Sequence, residues 1–280
     1  MAKRNVIVPM GFNMQPLISI ITVVFNGESL IADTLHSAIN QSYKNIELVI
    51  IDGGSTDHTV NIANQFSTNI GTLLSEKDKG IYDAMNKGIK AAKGEWIYFL
   101  NAGDSFFDSK VLSDIFANVP AEVDLVYGKV QTVNEPTGIN YINGKPVLLK
   151  DFYREYPICH QAAFFRKRTF DIIGLYDDSY KLVADSEWFV RFFKSGKGKA
   201  LFVDRIVAYY DIQGASYHKR MLSQRELLRY SNQYFPLLIA LSNRLLYPLI
   251  YAKVWVIRSF QHTSWFKRYR EWKFKNRKAI

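Results

Sequence analysis

Four apolar stretches, each followed by polar residues, stand out along the first half of the chain. They cover residues 17–26, 46–51, 95–104 and 124–130. Nearly continuous apolar runs of this length predict strands buried on both faces, which is typical of a parallel sheet.

Helical patterns lie between these strands. One begins at Asp57 and extends to Phe66, and the next covers residues 80–94. The second places one apolar face along the helix and is expected to end at Gly94. Its predicted buried face comprises Ile81, Ala84, Met85, Gly88, Ile89 and Ala92. The alternation predicts an α/β fold with a mostly parallel central sheet, helices on its flanks and right-handed crossovers.

Polar side chains follow three of the predicted strands. Asn26, Asp52 and Asp104 each come where an apolar run stops. A single aspartate at such a place is usually a turn former or a helix cap. Ligands of open α/β sheets bind outside the carboxyl ends of the strands, so three polar residues there also indicate a binding site.

The familiar phosphate-binding loops are missing from the sequence. No G-x-G-x-x-G follows the first strand, and no G-x-x-x-x-G-K-[ST] occurs anywhere. This argues against a dinucleotide-dependent dehydrogenase and a P-loop NTPase. A nucleotide bound here would need other charges for its phosphates, such as a divalent metal held by carboxylates.

The composition suits one large domain with a small appendage. The chain has 280 residues, of which 48% are hydrophobic and 22% charged. The single cysteine, Cys159, excludes a disulfide framework and a cysteine-based zinc site. Residues 1–15 contain no apolar run long enough for a signal peptide, so the main domain is expected in the cytoplasm.

Three motifs in order resemble those of family 2 glycosyltransferases of the bacterial polysaccharide-biosynthesis type. They read ISIITVVFN, VIIDGGSTDHT and DKGIYDAMNKGIKAAKGEWIYFLNAGD, and the resemblance extends over residues 17–216. It implies a GT-A fold and an inverting transfer from a nucleotide sugar, with a UDP-sugar favoured. It also implies a glycan or polyprenyl-linked acceptor and a divalent metal cofactor, Mn²⁺ or Mg²⁺.

The resemblance implies a set of residues that bind the nucleotide sugar. Phe25 and Asn26 end the strand that lines the base, Asp52 matches the acid that hydrogen-bonds the base, and Ser55 completes that turn. Asp57 is more readily interpreted as a helix cap. The remaining members of the set, toward the ribose and donor sugar, are Asp78, Gly80, Asn86 and Asn101.

Asp104 matches the last acid of the family's D-x-D signature and is the expected metal ligand. The common form is L-D-x-D-D, whereas this chain has Leu100-Asn101-Ala102-Gly103-Asp104. Two carboxylates are lost, so weaker metal binding is expected, and loss of activity is the alternative. One carboxylate with diphosphate oxygens and water can still hold Mg²⁺ or Mn²⁺.

An inverting transfer needs a general base to deprotonate the acceptor hydroxyl. The segment KLVADSEWFVRFFKSG predicts a helix starting near Ala184, with Asp185 in its first turn. The resemblance favours Asp185 as the base, and Glu187 is the alternative. Glu187 also precedes Arg191 by four residues, as in an ordinary surface ion pair, and Asp185 can equally be a cap.

Four residues are candidates for contacts with the acceptor or the diphosphate: His160, Gln161, Glu187 and His218. His160 and Gln161 belong to a C-H-Q segment like the one that the family places near the acceptor. A lone histidine beside apolar residues is also commonly structural, and His218 is equally interpreted as a surface loop residue.

The carboxyl end combines apolar, aromatic and basic residues. Residues 235–260 are apolar but interrupted by Arg244 and Lys253, and Pro248 is expected to break or kink any helix. Eight Lys or Arg against one Glu in residues 258–280 contribute +7 of the net charge of +10. This pattern favours amphipathic helices on an anionic membrane surface. Packing on the domain or dimerisation is the alternative, and nucleic acid is not expected as a partner.

We therefore predict a lead (1–16), a catalytic domain (17–220) and a basic, aromatic, membrane-associating helical tail (221–280). The protein would be peripheral on the inner face of the cell membrane. A non-catalytic GT-A-like module that binds a nucleotide sugar or a membrane partner is the alternative function. A sugar nucleotidyltransferase would need a glycine-rich, basic loop after the first strand, and VVFNGESL does not provide one.

Overall fold

The computed structural model describes residues 15–134, 139–211, 220–260, 263–265 and 268. Its centre is a sheet of nine strands in the order β3-β2-β1-β4-β8-β6-β9-β5, with β7 paired to β6. The strands are β1 Ile18–Val24, β2 Ile46–Asp52, β3 Ile70–Ser75, β4 Trp96–Phe99, β5 Ser105–Phe106, β6 Val123–Asn134, β7 Ile139–Asn143, β8 Ala163–Arg166 and β9 Lys199–Asp211. The helices are α1 Ile31–Ile39, α2 Thr59–Asn64, α3 Ile81–Ala91, α4 Val111–Phe116, α5 Arg168–Ile173, α6 Ala184–Ser195, α7 Arg220–Tyr234 and α8 Leu237–Phe260, and 3-10 turns cover Leu149–Tyr153 and His160–Ala162.

The first half of the sheet has the predicted parallel arrangement. β1 lies between β2 and β4 and is parallel to both, and every residue of β1 is buried. The second half is mixed, because β8 runs antiparallel to β4 and β6 while β9 runs parallel to β6. The predicted α/β architecture with a helix-flanked central sheet is confirmed, and β3, β2, β1 and β4 form its continuous parallel block.

Helices cover both faces of the sheet. One hydrophobic cluster contains buried residues of α3, α6 and α7, and the other contains buried residues of α1 and α4. Alternate residues of β1 enter the two clusters, with Ile21 in the first and Ile20 in the second. This is the alternation expected of a strand buried on both faces.

Two details of α3 differ from the sequence prediction. The helix ends at Ala91, and Ala92 is already extended with ψ of 136°. Gly94 does not cap it. A Cβ at Gly94 would lie 2.5 Å from the Ser19 hydroxyl oxygen, so the glycine allows a close approach to β1. Ile81 is 43% exposed and is not a core residue, since it opens the helix at the edge of the sheet.

The Glu187–Arg191 pair forms as predicted, but the expected surface location is wrong. Glu187 is only 2% exposed and lies 2.8 Å from Arg191 Nε. Tyr234 of α7 donates a hydrogen bond to the same carboxylate at 2.8 Å. The guanidinium also donates to the carbonyl of Leu175 at 2.8 Å. The pair therefore joins α6 to two neighbouring segments inside the protein.

The C-terminal helices form a packed pair, and Pro248 does not interrupt the second one. α8 continues through Pro248. Pro248 and Arg244 are both exposed, so water can satisfy the carbonyl that loses its intrahelical donor. Among the described helices, none combines the length and the apolar character needed to cross a bilayer.

α7 packs against the predicted catalytic domain (17–220), although α7 itself lies beyond the predicted end of that domain. Leu227 and Tyr230 are buried in the cluster that also contains α6. The Glu226 carboxylate accepts hydrogen bonds from the backbone amides of Lys181 and Leu182, at 2.7 and 3.0 Å. These amides immediately precede α6. The domain boundaries themselves remain a prediction.

Candidate active site

The loops that follow β1 and β2 are bonded to each other at the carboxyl edge of the sheet. The Asn26 side-chain oxygen accepts the Thr56 amide at 2.9 Å, and the Asn26 amide donates to the Ser55 hydroxyl at 2.7 Å. Asn26 adopts a φ of 49°, a conformation that asparagine tolerates better than most residues. Phe25, just before this turn, is 63% exposed. The paired loops thus present an aromatic ring at the edge where a ligand is expected.

Asp52 is the last residue of β2, and its side chain bonds to the second of these loops. It is fully buried, and one carboxylate oxygen accepts the amides of Gly54 and Ser55 at 3.1 and 3.0 Å. The Ser75 hydroxyl of β3 donates to the same oxygen at 2.6 Å. In this structure the carboxylate therefore shapes the turn. Its direct contact with a nucleobase stays a prediction that this geometry does not support.

Asp78 is a partly exposed carboxylate next to this loop. A Cβ at Gly53 would lie 2.5 Å from Asp78 Oδ2 and 3.5 Å from the Phe25 Cβ. Gly53 is itself buried, and its lack of a side chain lets Phe25 and Asp78 lie side by side on one small surface. Asp78 also accepts the Gly80 amide at 2.9 Å, and Gly80 has a φ of 136°, a conformation that suits glycine at the entrance to α3.

Asn86 is buried on α3, and both ends of its amide are used. Its nitrogen donates to the Tyr176 carbonyl at 2.9 Å, and its oxygen accepts the Tyr176 amide at 3.0 Å. The residue joins α3 to the segment before α6. A direct contact with a donor sugar is therefore not supported by this geometry.

Asp185 lies in the first turn of α6, with its side chain 14% exposed. Oδ1 accepts a hydrogen bond from the Tyr82 hydroxyl at 3.1 Å, and Oδ2 lies 3.1 Å from His160 Nδ1. Tyr82 belongs to the first turn of α3, so the amino ends of α3 and α6 meet at Asp185. Helix amino ends attract negative charge, which favours a carboxylate or a phosphate here.

His160 connects Asp185 to the turn that carries the predicted metal ligand. Its Nε2 lies 3.3 Å from Asn101 Nδ2. Burial by itself lowers the pKa of His160, but the hydrogen bond and charge of Asp185, with the charge of Asp104, raise it overall. The result is a chain of polar contacts in the order Tyr82, Asp185, His160 and Asn101.

Gln161 and Glu187 do not join this chain. The Gln161 side-chain oxygen accepts the Cys159 thiol at 2.8 Å, and its backbone carbonyl accepts the Tyr98 hydroxyl at 2.7 Å. Gln161 thus supports the 3-10 turn that carries His160. Glu187 is occupied by Arg191 and Tyr234, so the structure does not support an acceptor contact or a role as base. His218 lies outside the described residues.

The turn between β4 and β5 holds Asp104. The Asp104 amide donates to the Asn101 carbonyl at 2.9 Å, and its own carbonyl accepts the Thr34 hydroxyl at 2.9 Å. Within the described part of the chain, no three His, Cys, Asp or Glu residues lie close enough to hold a metal ion. However, Asn101 Oδ1 is buried and has no hydrogen-bond partner among the residues that the structure describes. One amide oxygen and one carboxylate fit a hard cation that takes its other ligands from a diphosphate and water.

The structure brings together three predicted residues, Asn101, His160 and Asp185, and adds one that sequence reasoning missed. Tyr82 was absent from the predicted apolar face of α3. Its hydroxyl would need a polar partner if buried, which was the available signal. Asp185 provides that partner across the fold.

We expect Tyr82→Phe to lower kcat about tenfold and to leave KM for the donor nearly unchanged. The substitution removes one hydrogen bond to Asp185, which corresponds to roughly 1.5 kcal/mol for a charged acceptor. Steady-state kinetics with varied donor would separate the two parameters. Tyr180→Phe is the matched control, because within the described ranges of the chain the buried Tyr180 hydroxyl has no hydrogen-bond partner. Equal losses in both variants would contradict a positioning role for Tyr82.

The α/β sheet carries its polar cluster at the carboxyl ends of the strands, which is where open α/β proteins bind their ligands. Residues 19–174 match the family model described as glycosyl transferase family 2. The chain therefore belongs to glycosyltransferase family 2, and the predicted family and enzyme class are confirmed.

Named relatives agree with this assignment. A PGL/p-HBAD biosynthesis glycosyltransferase of Mycobacterium bovis is 35% identical over 201 residues, which cover 70% of this chain and 77% of the relative. A glycosyltransferase of Mycobacterium tuberculosis is 32% identical over 181 residues, which cover 63% of this chain and 68% of the relative.

Solved structures show the same fold. Staphylococcus aureus TarS 1-349 in complex with UDP has a TM-score of 0.60 at 19% identity, covering 76% of this chain and 64% of the TarS 1-349 chain. The mannosyltransferase PcManGT from Pyrobaculum calidifontis, in complex with GDP-Man and Mn²⁺, also has a TM-score of 0.60, at 16% identity. That match covers 93% of this chain and 84% of PcManGT. The expected GT-A fold is thus confirmed.

Proposed function

We propose that this protein transfers a sugar, with inversion, from a nucleotide sugar to a hydroxyl group of a glycan or lipid-linked acceptor. The observation that carries the proposal is the position of Asp185, held by Tyr82 and His160 next to the turn of Asp104. Complexes of TarS with UDP and UDP-GlcNAc, and of PcManGT with GDP-Man, support a nucleotide-sugar donor. The sequence resemblance favours UDP as the nucleotide.

The donor nucleoside would lie against the surface of Phe25 and Asp78. This surface combines an exposed ring with a partly exposed carboxylate that can accept hydrogen bonds from a base or a ribose. The amino ends of α3 and α6 would attract the negative charge of the diphosphate. Asp52 and Asn86 would act indirectly, by holding the loop and the segments around this surface.

Asp104 and the side-chain oxygen of Asn101 would hold Mg²⁺ or Mn²⁺. A bound divalent cation neutralises the charge that develops on a leaving nucleoside diphosphate. The loss of two carboxylates from the common signature leaves few protein ligands, so the diphosphate would complete the coordination.

Asp185 would act as the general base. The acceptor hydroxyl gives its proton to a carboxylate oxygen of Asp185 while its oxygen bonds to the anomeric carbon. The bond from that carbon to the diphosphate breaks, and the nucleoside diphosphate leaves with the electron pair. Tyr82 and His160 orient the carboxylate, each at one oxygen.

Calorimetric binding of UDP-, GDP- and dTDP-sugars, each with and without Mn²⁺ or Mg²⁺, tests the proposal. We expect one donor to bind with metal and to be hydrolysed slowly in the absence of acceptor. Binding without any hydrolysis or transfer would favour the non-catalytic nucleotide-sugar-binding module, which the reduced acidic signature also permits. Failure of every donor to bind would overturn both functions.

A further inference from the structure

The outer face of α8 carries a row of exposed leucine, valine and phenylalanine side chains. From Leu238 to Leu249 they recur every three or four residues, and Val256 and Phe260 follow at helical spacings of seven and four, so they lie along one face of the helix. Leu238 and Leu245 are 79% and 77% exposed. We call this row the apolar stripe; its members are Leu237, Leu238, Leu241, Leu245, Leu249, Val256 and Phe260. At 24 residues, α8 is about 36 Å long.

The opposite face of α8 accounts for its packing on the protein. Ala240 and Asn243 are buried. Asn243 donates hydrogen bonds to the Tyr153 carbonyl at 2.8 Å and to the Ser231 hydroxyl of α7 at 3.0 Å. The packing of α8 on the described part of the protein thus uses the face opposite the apolar stripe. Single exposed leucines are ordinary on protein surfaces, whereas several exposed apolar side chains aligned on one helix face mark an interaction site.

The charge near the apolar stripe indicates what covers it. Arg244 is exposed on α8, and residues 258–280 contain eight Lys or Arg against one Glu. Two further exposed aromatic residues, Trp255 and Trp265, are of the type enriched at membrane interfaces. The partner must therefore offer both apolar contact and negative charge. A second copy of this chain would bring the same positive charge against itself, and a nucleic acid would offer no apolar layer.

We propose that α8 binds in the plane of an anionic lipid bilayer, with the apolar stripe in the boundary between headgroups and acyl chains. Basic residues near the surface add electrostatic attraction. The binding does not depend on sugar transfer. It would bring the active site close to the bilayer, because Glu226 of α7 holds the segment before α6.

Vesicle co-sedimentation of the purified full chain tests the proposal. We expect binding to vesicles of phosphatidylcholine with phosphatidylglycerol, and much weaker binding to phosphatidylcholine alone. About 0.5 M NaCl should weaken binding, because salt at that concentration screens charges beyond a few ångströms. The double variant Leu245→Gln and Leu249→Gln should bind at least about tenfold more weakly, since two leucines lose their apolar contact.

The matched control is Leu148→Gln with Ile172→Gln, two exposed apolar residues elsewhere on the surface. It should bind vesicles like the unmodified chain, and circular dichroism should be unchanged in both double variants. No vesicle binding by the unmodified chain would overturn the proposal, as would equal losses in both double variants. The unmodified chain could instead form a dimer that Leu245→Gln with Leu249→Gln dissociates, and bind no vesicles. That result would identify the apolar stripe as a self-association surface and would overturn the proposal. Donor binding is measured separately on the same protein. A failure of the proposed sugar transfer can then be told apart from a failure of vesicle binding.

Discussion

Asp185→Asn is expected to lower kcat about a thousandfold and to leave the affinity for the nucleotide sugar nearly unchanged. The amide has the size of the carboxylate and can still accept the Tyr82 hydroxyl, but it cannot take a proton from the acceptor. Loss of a positioned general base typically costs about a hundredfold to ten-thousandfold in rate. Steady-state kinetics with a saturating acceptor, together with calorimetric donor binding, would measure both quantities.

Glu187→Gln is the informative control for Asp185→Asn. Glu187 lies two residues further along α6, but its carboxylate is buried against Arg191 and Tyr234. Removing one partner of a buried ion pair typically costs about 3–5 kcal/mol of stability. The control should therefore unfold at a lower temperature while its folded fraction keeps its kcat. A thousandfold loss of kcat in Glu187→Gln alone would reverse the assignment of the base.

Asp104→Ala is expected to lower kcat/KM about a hundredfold and to remove most of the response to added Mn²⁺ or Mg²⁺. Asp104 is the only carboxylate in the Asn101–Asp104 turn, so its loss leaves mainly the Asn101 oxygen. Stabilising charge on a leaving group with a metal contributes several kcal/mol, and about 2.7 kcal/mol corresponds to a hundredfold.

A chelator distinguishes the metal role from a structural one. In the unmodified protein it should reproduce the loss seen in Asp104→Ala, and in the variant it should add little further loss. Asp108→Ala is the matched control, since Asp108 lies four residues on and its carboxylate pairs with Arg205 at 2.6 Å. An unmodified enzyme that keeps full activity in chelator would contradict the metal assignment.

The parts of the fold that depend on local pattern could be predicted from the sequence. β1 is apolar apart from the buried Ser19 and Thr22, β4 is apolar throughout, and α6 begins at Ala184 as its pattern indicated. β3 was not predicted, because Gly71 and Thr72 interrupt its short apolar character. The antiparallel pairing of β8 with β4 and β6 is set by contacts between distant segments, which periodicity does not report.

In the candidate site, too, local pattern could be predicted from the sequence and contacts between distant segments could not. The resemblance and the helix-start position singled out Asp185, whereas its contact with Tyr82 spans 103 positions of sequence. A glutamate four residues before an arginine has the same pattern in solvent and in the core, so the burial of the Glu187–Arg191 pair could not be predicted.

Pro248 was expected to disturb a helix, but its effect depends on whether water can reach the backbone carbonyl that loses its hydrogen-bond donor.

The packing of α7 determines where the chain can be shortened. A polypeptide ending near residue 220 would lose Glu226 and uncover the core beside α6, because Leu227 and Tyr230 are buried there. A polypeptide ending between α7 and α8 would keep these contacts and would lose the hydrogen bonds of Asn243 and Ser242 and the packing of Ile239 and Ala240. The second truncation thus separates the catalytic unit from its surface-binding helix, and the first divides the catalytic unit itself.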